Sequence, residues 1–115
     1  MTEADVIDIF ADVAPVTVRR MFGGLGVYRD GLIFALVVGG ELYLKIDEET
    51  RPEFEAVGSE PFVYDGGKKA VTMPYRRMPA ECYDDPEVLE RFAGLAFDAA
   101  ARAGPPRKRA RKIER

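Results

Sequence analysis

The stretch that organises this sequence is Arg19-Arg20-Met21-Phe22-Gly23-Gly24-Leu25-Gly26, in which three glycines follow two large apolar residues. Glycine is used where the backbone takes a positive φ or passes close to another group. A Gly-Gly-x-Gly run between β-type residues therefore predicts a bend, or a backbone segment held against a neighbour. We expect Gly23, Gly24 or both to show one of these two features.

The same glycines do not match a nucleotide-binding loop. The dinucleotide fingerprint needs a third glycine three positions after Gly26 and a helix that opens there. Position 29 is Arg29, and β-type residues surround it. No Gly-Lys-Ser or Gly-Lys-Thr run is present either, so the pattern is typical of a structural bend.

A meander of four antiparallel strands is predicted around the bend, because β-branched or alternating apolar runs are separated by glycines. The predicted strands are residues 16–22, 25–29, 32–38 and 41–46. The run 32–38 is apolar on both faces, which is typical of a central strand. Asp30-Gly31 and Gly39-Gly40 are hairpin turn signals between the later strands.

Three helices are predicted from apolar spacing and from residues that cap helices. They are residues 2–13 after the cap Thr2, a short segment from the N-cap Asp47 to the stop at Gly58, and a segment from the N-cap Asp85 to residue 103. In the short helix, Phe54 and Val57 are expected on one side. Residues 79–84 are expected to form a loop.

A second hairpin is predicted from residues 62–65 and 69–77, joined through Gly66-Gly67. Pro74 indicates that the second of these strands is an edge strand or contains a bulge. The complete order is α-β-β-β-β-α-β-β-α. Strands grouped in this way favour an α+β fold in two layers, an antiparallel sheet with helices packed on one face.

The composition is that of a single globular domain. The 115 residues are 47% hydrophobic and 32% charged, which is enough to bury a core without metals or disulfides. The apolar run 32–38 is too short to cross a bilayer. The acidic N-terminus lacks the basic segment followed by an apolar segment that a signal peptide has. Because Cys82 is the single cysteine, no internal disulfide can form, which fits a reducing compartment, and we expect the cytoplasm.

The sequence has no histidine, which excludes Ser-His-Asp and Cys-His nucleophile systems, histidine bases and histidine-ligated metals. Helix capping explains the carboxylates at positions 47–49 without a metal. Acidic neighbours of Cys82 raise the pKa of its thiol, which argues against a reactive thiolate. We therefore expect no catalytic residue, no metal site and no cofactor.

Aromatic and basic residues are expected on the face of the sheet that the helices leave open. Tyr43 and Lys45 point away from Leu42 and Leu44. The strand register decides whether Tyr28, Tyr75 and one of Arg19 or Arg20 join them. Such a face binds nucleic acid or a protein partner, or it consists only of solvated cross-strand pairs. Together with the bend, the candidate binding residues are Arg19, Arg20, Met21, Phe22, Gly23, Gly24, Gly26, Tyr28, Tyr43, Lys45 and Tyr75.

The end of the sequence is strongly basic. From Gly104 onward the net charge is +5, whereas the preceding residues carry 19 acidic and 11 basic side chains, a net charge of −8. We expect residues 1–103 to form the domain and residues 104–115 to be a disordered basic tail. The tail is either a solvated end or a weak, non-specific nucleic-acid arm. Its cations are Arg107, Lys108, Arg109, Arg111, Lys112 and Arg115.

The sequence resembles the N-terminal domain of the TfoX/Sxy family from about Val16 to Ala103. The matching segments are Arg-Arg-Met-Phe-Gly-Gly-x-Gly at 19–26, Tyr28, Asp30-Gly31, Phe34-Ala35-Leu36, Leu42-Tyr43-Leu44-Lys45, Pro61-Phe62-x-Tyr64, Met73-Pro74-Tyr75 and Pro79. Members are bacterial regulators linked to competence for DNA uptake, which act on transcription with a cyclic-AMP-responsive activator. The resemblance implies a two-layer α+β fold like that of secretion chaperones and YjbR-type proteins, and it supplies no catalytic residues. Full-length members carry a second, C-terminal helical domain, whereas here a basic tail follows residue 103.

The leading hypothesis is a non-enzymatic regulatory or adaptor domain that acts on transcription through contacts with the transcription machinery or with DNA. The alternative is a small-molecule-binding domain with a groove near Arg20, Gly24 and Tyr43. No contact with a membrane is expected. Antiparallel sheets leave edges, and pairing of one edge across a two-fold axis predicts a homodimer.

Overall fold

A computed structural model gives the fold and describes residues 1–21, 23–65 and 69–105. Its elements are α1 Glu3–Phe10, β1 Thr17–Met21, β2 Gly24–Arg29, β3 Leu32–Val38, β4 Glu41–Lys45, α2 Arg51–Ala56, β5 Pro61–Asp65, β6 Ala70–Arg77, a 3-10 helix Ala80–Tyr83 and α3 Pro86–Ala103. This is the predicted order, with the 3-10 helix where a loop was expected. Phe22, the turn at Gly66-Gly67 and the tail cations Arg107, Lys108, Arg109, Arg111, Lys112 and Arg115 lie outside the described residues.

The strands form one antiparallel sheet in the order β1-β2-β3-β4-β6-β5. β3 has a strand on each side, which confirms the prediction of a central strand. The turns at Asp30-Gly31 and Gly39-Gly40 have positive φ at both residues, as two-residue hairpin turns require. Both predicted turns are therefore confirmed, and they fix the register of the meander.

Pro74 marks a bulge and not an edge. β6 lies between β4 and β5, so the edge alternative is wrong. Pro61 pairs with Arg76 and Val63 with Thr72, so three residues of β6 face the single residue Phe62. The missing N–H of proline costs little in a bulge, and the Pro74 carbonyl accepts a 3.0 Å hydrogen bond from the Ile46 N–H.

All three helices pack on one face of the sheet. Phe34 of β3 makes edge-to-face ring contacts with Phe10 of α1 and Phe97 of α3, at centroid distances of 5.2 Å and 4.8 Å. Phe54 of α2 packs on Phe92 of α3 at 5.1 Å. These rings belong to a core that includes the inward residues of the central strands, so the two-layer α+β architecture is confirmed.

The predicted caps of the first and last helices are confirmed. Thr2 and Asp5 form a reciprocal capping box, and the Asp85 carboxylate accepts hydrogen bonds from the N–H groups of Glu87 and Val88. α1 ends at Phe10, three residues earlier than predicted, because turns closed on the Phe10 carbonyl replace the helix there. None of the described helices is both long and apolar enough to span a membrane.

The short helix α2 differs from its prediction in two respects. Asp47 is not its N-cap, because the Asp47 carboxylate accepts hydrogen bonds from the N–H groups of Glu49 and Thr50 and so closes a turn before the helix. The helix begins at Arg51, after that turn. Val57 does not share a buried side with Phe54, because α2 ends at Ala56 and leaves Val57 45% exposed.

Candidate functional site: a groove on the helix-free face of the sheet

The glycine bend has both of the predicted features. Gly23 has φ +76°, a region that residues with a Cβ rarely occupy. Gly24 has its Cα against β3, so that an added Cβ would stand 2.2 Å from the Val37 carbonyl oxygen. The bend prediction is therefore confirmed at both positions.

Gly26 opens space for three side chains on the helix-free face. A Cβ built there would lie 3.0 Å from the Met21 sulfur, 3.2 Å from Ile33 Cδ1 and 3.2 Å from Tyr28 Cε1. These contacts are tighter than ordinary van der Waals contacts, so the three side chains lie directly over the backbone of Gly26. The glycine-rich stretch thus forms the floor at one end of a depression in the sheet.

The strand register decides which arginine lies on this face. Directly paired residues share a face, and one such row consists of Arg19, Gly26, Leu36, Tyr43 and Arg77. Arg20 therefore projects toward the helix side, where its Nε lies 3.4 Å from a carboxylate oxygen of Glu3 in α1. Arg20 and Gly24 line a separate cavity of about 580 Å³ that does not include Tyr43. The site predicted near Arg20, Gly24 and Tyr43 is therefore assembled only in part.

The depression is an apolar groove of about 430 Å³. One wall carries Ile33 and Leu36 of β3, and the other carries Phe62 of β5 and Met73 of β6. Because β4 lies between these walls in the sheet order, the sheet must curve toward its helix-free face. The bulge at Met73–Tyr75 gives β6 the bend that this curvature needs.

One end of the groove is polar. Tyr75 lines it and is 6% exposed, and the Nζ of its register partner Lys45 lies 5.1 Å from the centre of the Tyr75 ring. Burial, together with the neighbouring Tyr28 hydroxyl, raises the pKa of Tyr75 to about 12. Burial also lowers the pKa of Lys45, against the opposing effect of Asp47. Arg19 lies 5.5 Å from the Tyr28 ring at the exposed margin of this end.

Tyr43 and Arg77 lie on the same face as the groove but do not line it. The Tyr43 ring packs on Phe62 at a centroid distance of 4.7 Å. Arg77 already has anionic partners, with nitrogens 3.7 Å from Glu41 and 3.8 Å from Glu60, and a hydrogen bond with Tyr43 contributes to raising its pKa. Tyr43 is thus a packing residue, and Arg77 is not an open cation.

The remaining candidates have structural explanations. Arg102 of α3 binds Asp47 through a 2.6 Å hydrogen bond, and Arg51 binds Glu48 at 2.7 Å. Within the described ranges, no group of three or more acidic or cysteine side chains is placed to hold a metal. Burial first, and Glu81 second, raise the pKa of Cys82 to about 11, so burial adds to the charge effect inferred from the sequence.

The sequence predicted Tyr43 and Lys45 on this face and left Tyr28 and Tyr75 to the strand register, which brings both there. Most of the groove lining was not predicted. Of the lining residues, only Met21, Gly24 and Tyr75 were predicted, and those missed are Leu25, Ile33, Leu36, Val37, Val38, Phe62, Tyr64 and Met73. A signal was present, because a strand that is apolar on both faces needs a second cover when helices pack on only one. The β5–β6 hairpin provides part of that cover.

Comparison with known proteins identifies a family. The sequence model of the TfoX N-terminal domain family matches residues 8–100 of this chain. The DNA transformation protein TfoX1 of Aliivibrio fischeri (strain ATCC 700601 / ES114) is 41% identical over 44 residues, which is 38% of this chain and 21% of that relative. The matched part therefore spans about a fifth of the relative's length. Since the family model covers most of the chain, the chain belongs to the TfoX N-terminal domain family.

Proposed function

We propose that this chain is a non-enzymatic, competence-regulator-like domain that acts in transcription regulation, in the cytoplasm, through contacts with a protein of the transcription machinery. The family match over residues 8–100 is the observation that carries the proposal. The similarity to a DNA transformation protein supports it. The absence of histidine from the sequence supports a regulatory rather than a catalytic role.

The outer part of the β5–β6 hairpin is the surface that we propose for the protein contact. Tyr64 and Val71 pair across the two strands on the same face of the hairpin and are 53% and 48% exposed. Val63 points to the other face of the hairpin and is 47% exposed. Apolar side chains clustered on a surface are typical of sites that bind another protein. β5 is also an edge strand, so its backbone has free hydrogen-bonding groups to offer a partner.

Transcript sequencing in the bacterium that encodes the chain tests this proposal. The gene is deleted and then restored as wild type, as the double variant Val63→Lys/Val71→Lys, or as the control Ile7→Lys. Ile7 is 47% exposed on α1, so the control adds a lysine at a site of equal exposure in the other layer. We expect wild type and control to restore the same set of transcripts and the double variant to fail, with all three proteins melting cooperatively. Identical transcripts with and without the gene would overturn the proposal.

A second candidate function, the binding of a small molecule, is favoured by the groove. Its volume of about 430 Å³ falls within the range of about 300–1,000 Å³ that is usual for ligand sites. The ligand site of this candidate function is the groove on the helix-free face, which Arg20 does not line. The groove and the surface proposed for the protein contact share Tyr64, so we expect a ligand in the groove to influence the protein contact.

Two further contacts remain proposals. The basic tail gives a net charge of +5 with which to hold nucleic acid weakly, next to a domain of net charge −8. The edge strands β1 and β5 offer a surface for a homodimer. Sedimentation at tens of micromolar tests the dimer, and a single monomeric species would contradict it.

A further inference from the structure

We propose that the groove on the helix-free face binds a small apolar carboxylate, whose carboxylate is received by Lys45 and whose apolar body lies between β3 and the β5–β6 hairpin. This inference rests on the second candidate function, ligand binding, and not on the proposed role in transcription. It is carried by the shape of the groove, by its lining and by the position of the Lys45 ammonium.

The shape selects a small ligand. Two walls from separate hairpins enclose a volume of about 430 Å³, near the lower end of the usual range for ligand sites. The groove therefore fits a molecule with a short chain or a single ring.

The lining selects an apolar body. Ile33, Leu36 and Phe62 are half-buried, so an apolar molecule in the groove would remove more of their surface from water. Met21 and Met73 lie at two sides of the same groove, and their unbranched side chains adapt to ligands of different shapes.

The position of Lys45 selects the charge. Within the described residues, no carboxylate lies within ion-pair distance of its Nζ. Asp47, the nearest acidic group to influence it, is held by Arg102. The Lys45 Nζ lies over the ring of Tyr75, and Tyr75 in turn is influenced by Tyr28. Burial disfavours the charged form of Lys45. An anion at the Tyr75 end of the groove would form an ion pair with this half-buried ammonium and would stabilise its charged form.

A carboxylate fits better than a phosphate. Phosphate sites commonly combine several cations with the N–H groups of a helix N-terminus. Among the described residues, the groove lining itself holds no cation, and Lys45 lies against Tyr75 at one end. Arg19 lies over Tyr28, and the helices pack on the opposite face. A single ammonium next to a phenol matches the charge and the hydrogen-bonding needs of one carboxylate.

Calorimetric titration with sodium octanoate and with 1-octanol, probes of equal chain length, tests the proposal. The proteins are wild type, Lys45→Met and the control Lys69→Met, which removes a charge from an exposed lysine. We expect wild type and Lys69→Met to bind octanoate equally. Lys45→Met should bind octanoate tenfold or more weakly, because a charge-assisted hydrogen bond is lost, while its affinity for octanol is unchanged.

Two outcomes would overturn the proposal. One is the absence of octanoate binding to wild type at millimolar concentration, with the protein shown to be folded by thermal melting. The other is equal octanoate affinity of wild type and Lys45→Met, which would show that Lys45 does not bind the carboxylate. A Leu36→Trp variant, which fills the groove and leaves Lys45 in place, should lose both probes. Retained binding by that variant would place the probes elsewhere. None of these results bears on the transcript measurement.

Discussion

The Cα of Gly24 faces the carbonyl oxygen of Val37 at a distance that leaves no room for a side chain, because a Cβ at position 24 would stand 2.2 Å from that oxygen. This contact lies beside the pair Leu25–Val37, at the end of the β2–β3 ladder. Because Gly24 lies so close to Val37, β2 pairs with β3 from the residue that follows, Leu25. The floor of the groove depends on it, since Gly24 and Val37 both line that cavity.

Replacement of Gly24 by alanine should lower the free energy of unfolding by about 1–3 kcal/mol, because backbone atoms must move to admit the Cβ. Gly94→Ala is the matched control. Gly94 lies inside α3 with nothing within 4 Å of an added Cβ, so alanine there should stabilise by up to about 1 kcal/mol. Urea unfolding measures both, and a Gly24→Ala protein as stable as wild type would show that the contact is looser than described.

The Asp47–Arg102 pair predicts a stability change at acid pH. The hydrogen bond from Arg102, with help from Thr50, lowers the pKa of Asp47 from 3.8 to about 2. A lowered folded-state pKa stabilises the protein at pH values above about 4, and this contribution is lost as pH falls through about 2. Both side chains are partly solvated, at 29% and 39% exposure, so we expect Arg102→Gln to cost about 1 kcal/mol or less at pH 6.

The difference between wild type and Arg102→Gln should shrink below pH 4 and vanish only below pH 2. Nuclear magnetic resonance titration of the Asp47 carboxyl should show its pKa rising toward 3.8 in the variant, with part of the shift retained because Thr50 still donates. Arg102→Lys, which keeps the charge, should give an intermediate pKa. An unchanged Asp47 pKa in Arg102→Gln would refute the assignment.

Cys82 should be unreactive in the folded protein. It is 2% exposed, and burial followed by Glu81 raises its pKa to about 11, so roughly one thiol in a thousand is ionised at pH 8. A disulfide reagent such as dithionitrobenzoate should react slowly under native conditions and rapidly in guanidinium. Complete reaction of native protein within the mixing time would contradict the buried placement.

The basic tail predicts salt-sensitive binding to duplex DNA. If about four to six of its cations contact phosphates, the log–log salt slope should be about −4 to −5, with little sequence preference. The comparison is between the full chain and a chain ending at Ala103. Equal affinities would exclude the tail as the binding element, and they would direct attention to the cations of the helix-free face.

Local chemistry made much of the fold predictable. The caps at Thr2 and Asp85, the turn at Asp30-Gly31 and the run 32–38 each use residues whose backbone preference agrees with their final structure. Gly23 and Gly24 were predictable for the same reason. Glycine is the residue that readily takes a positive φ, as at Gly23, and that leaves room for a carbonyl oxygen close to its Cα, as at Gly24. These features depend on neighbours within a few positions along the chain.

The groove was less predictable because it depends on contacts between distant segments. Lys45 meets Tyr75 only through the pairing of β4 with β6, and Phe62 faces Leu36 only because the sheet curves. Asp47 was assigned to a helix cap from its local sequence, whereas Arg102, 55 residues away, supplies its main partner. Neither the register of a non-sequential strand pair nor the curvature of a sheet can be derived from local patterns.

If the helix-free face of the sheet is the ligand-binding face of this domain, a methyl nuclear magnetic resonance titration with octanoate should show it directly. We predict saturable shifts for the methyl groups of Ile33, Leu36 and Met73, and no shift for Ile9 and Leu89, which pack on the helix side. Shifts confined to Ile9 and Leu89, or the absence of any saturable shift in the folded protein, would contradict the assignment of the groove as the binding site.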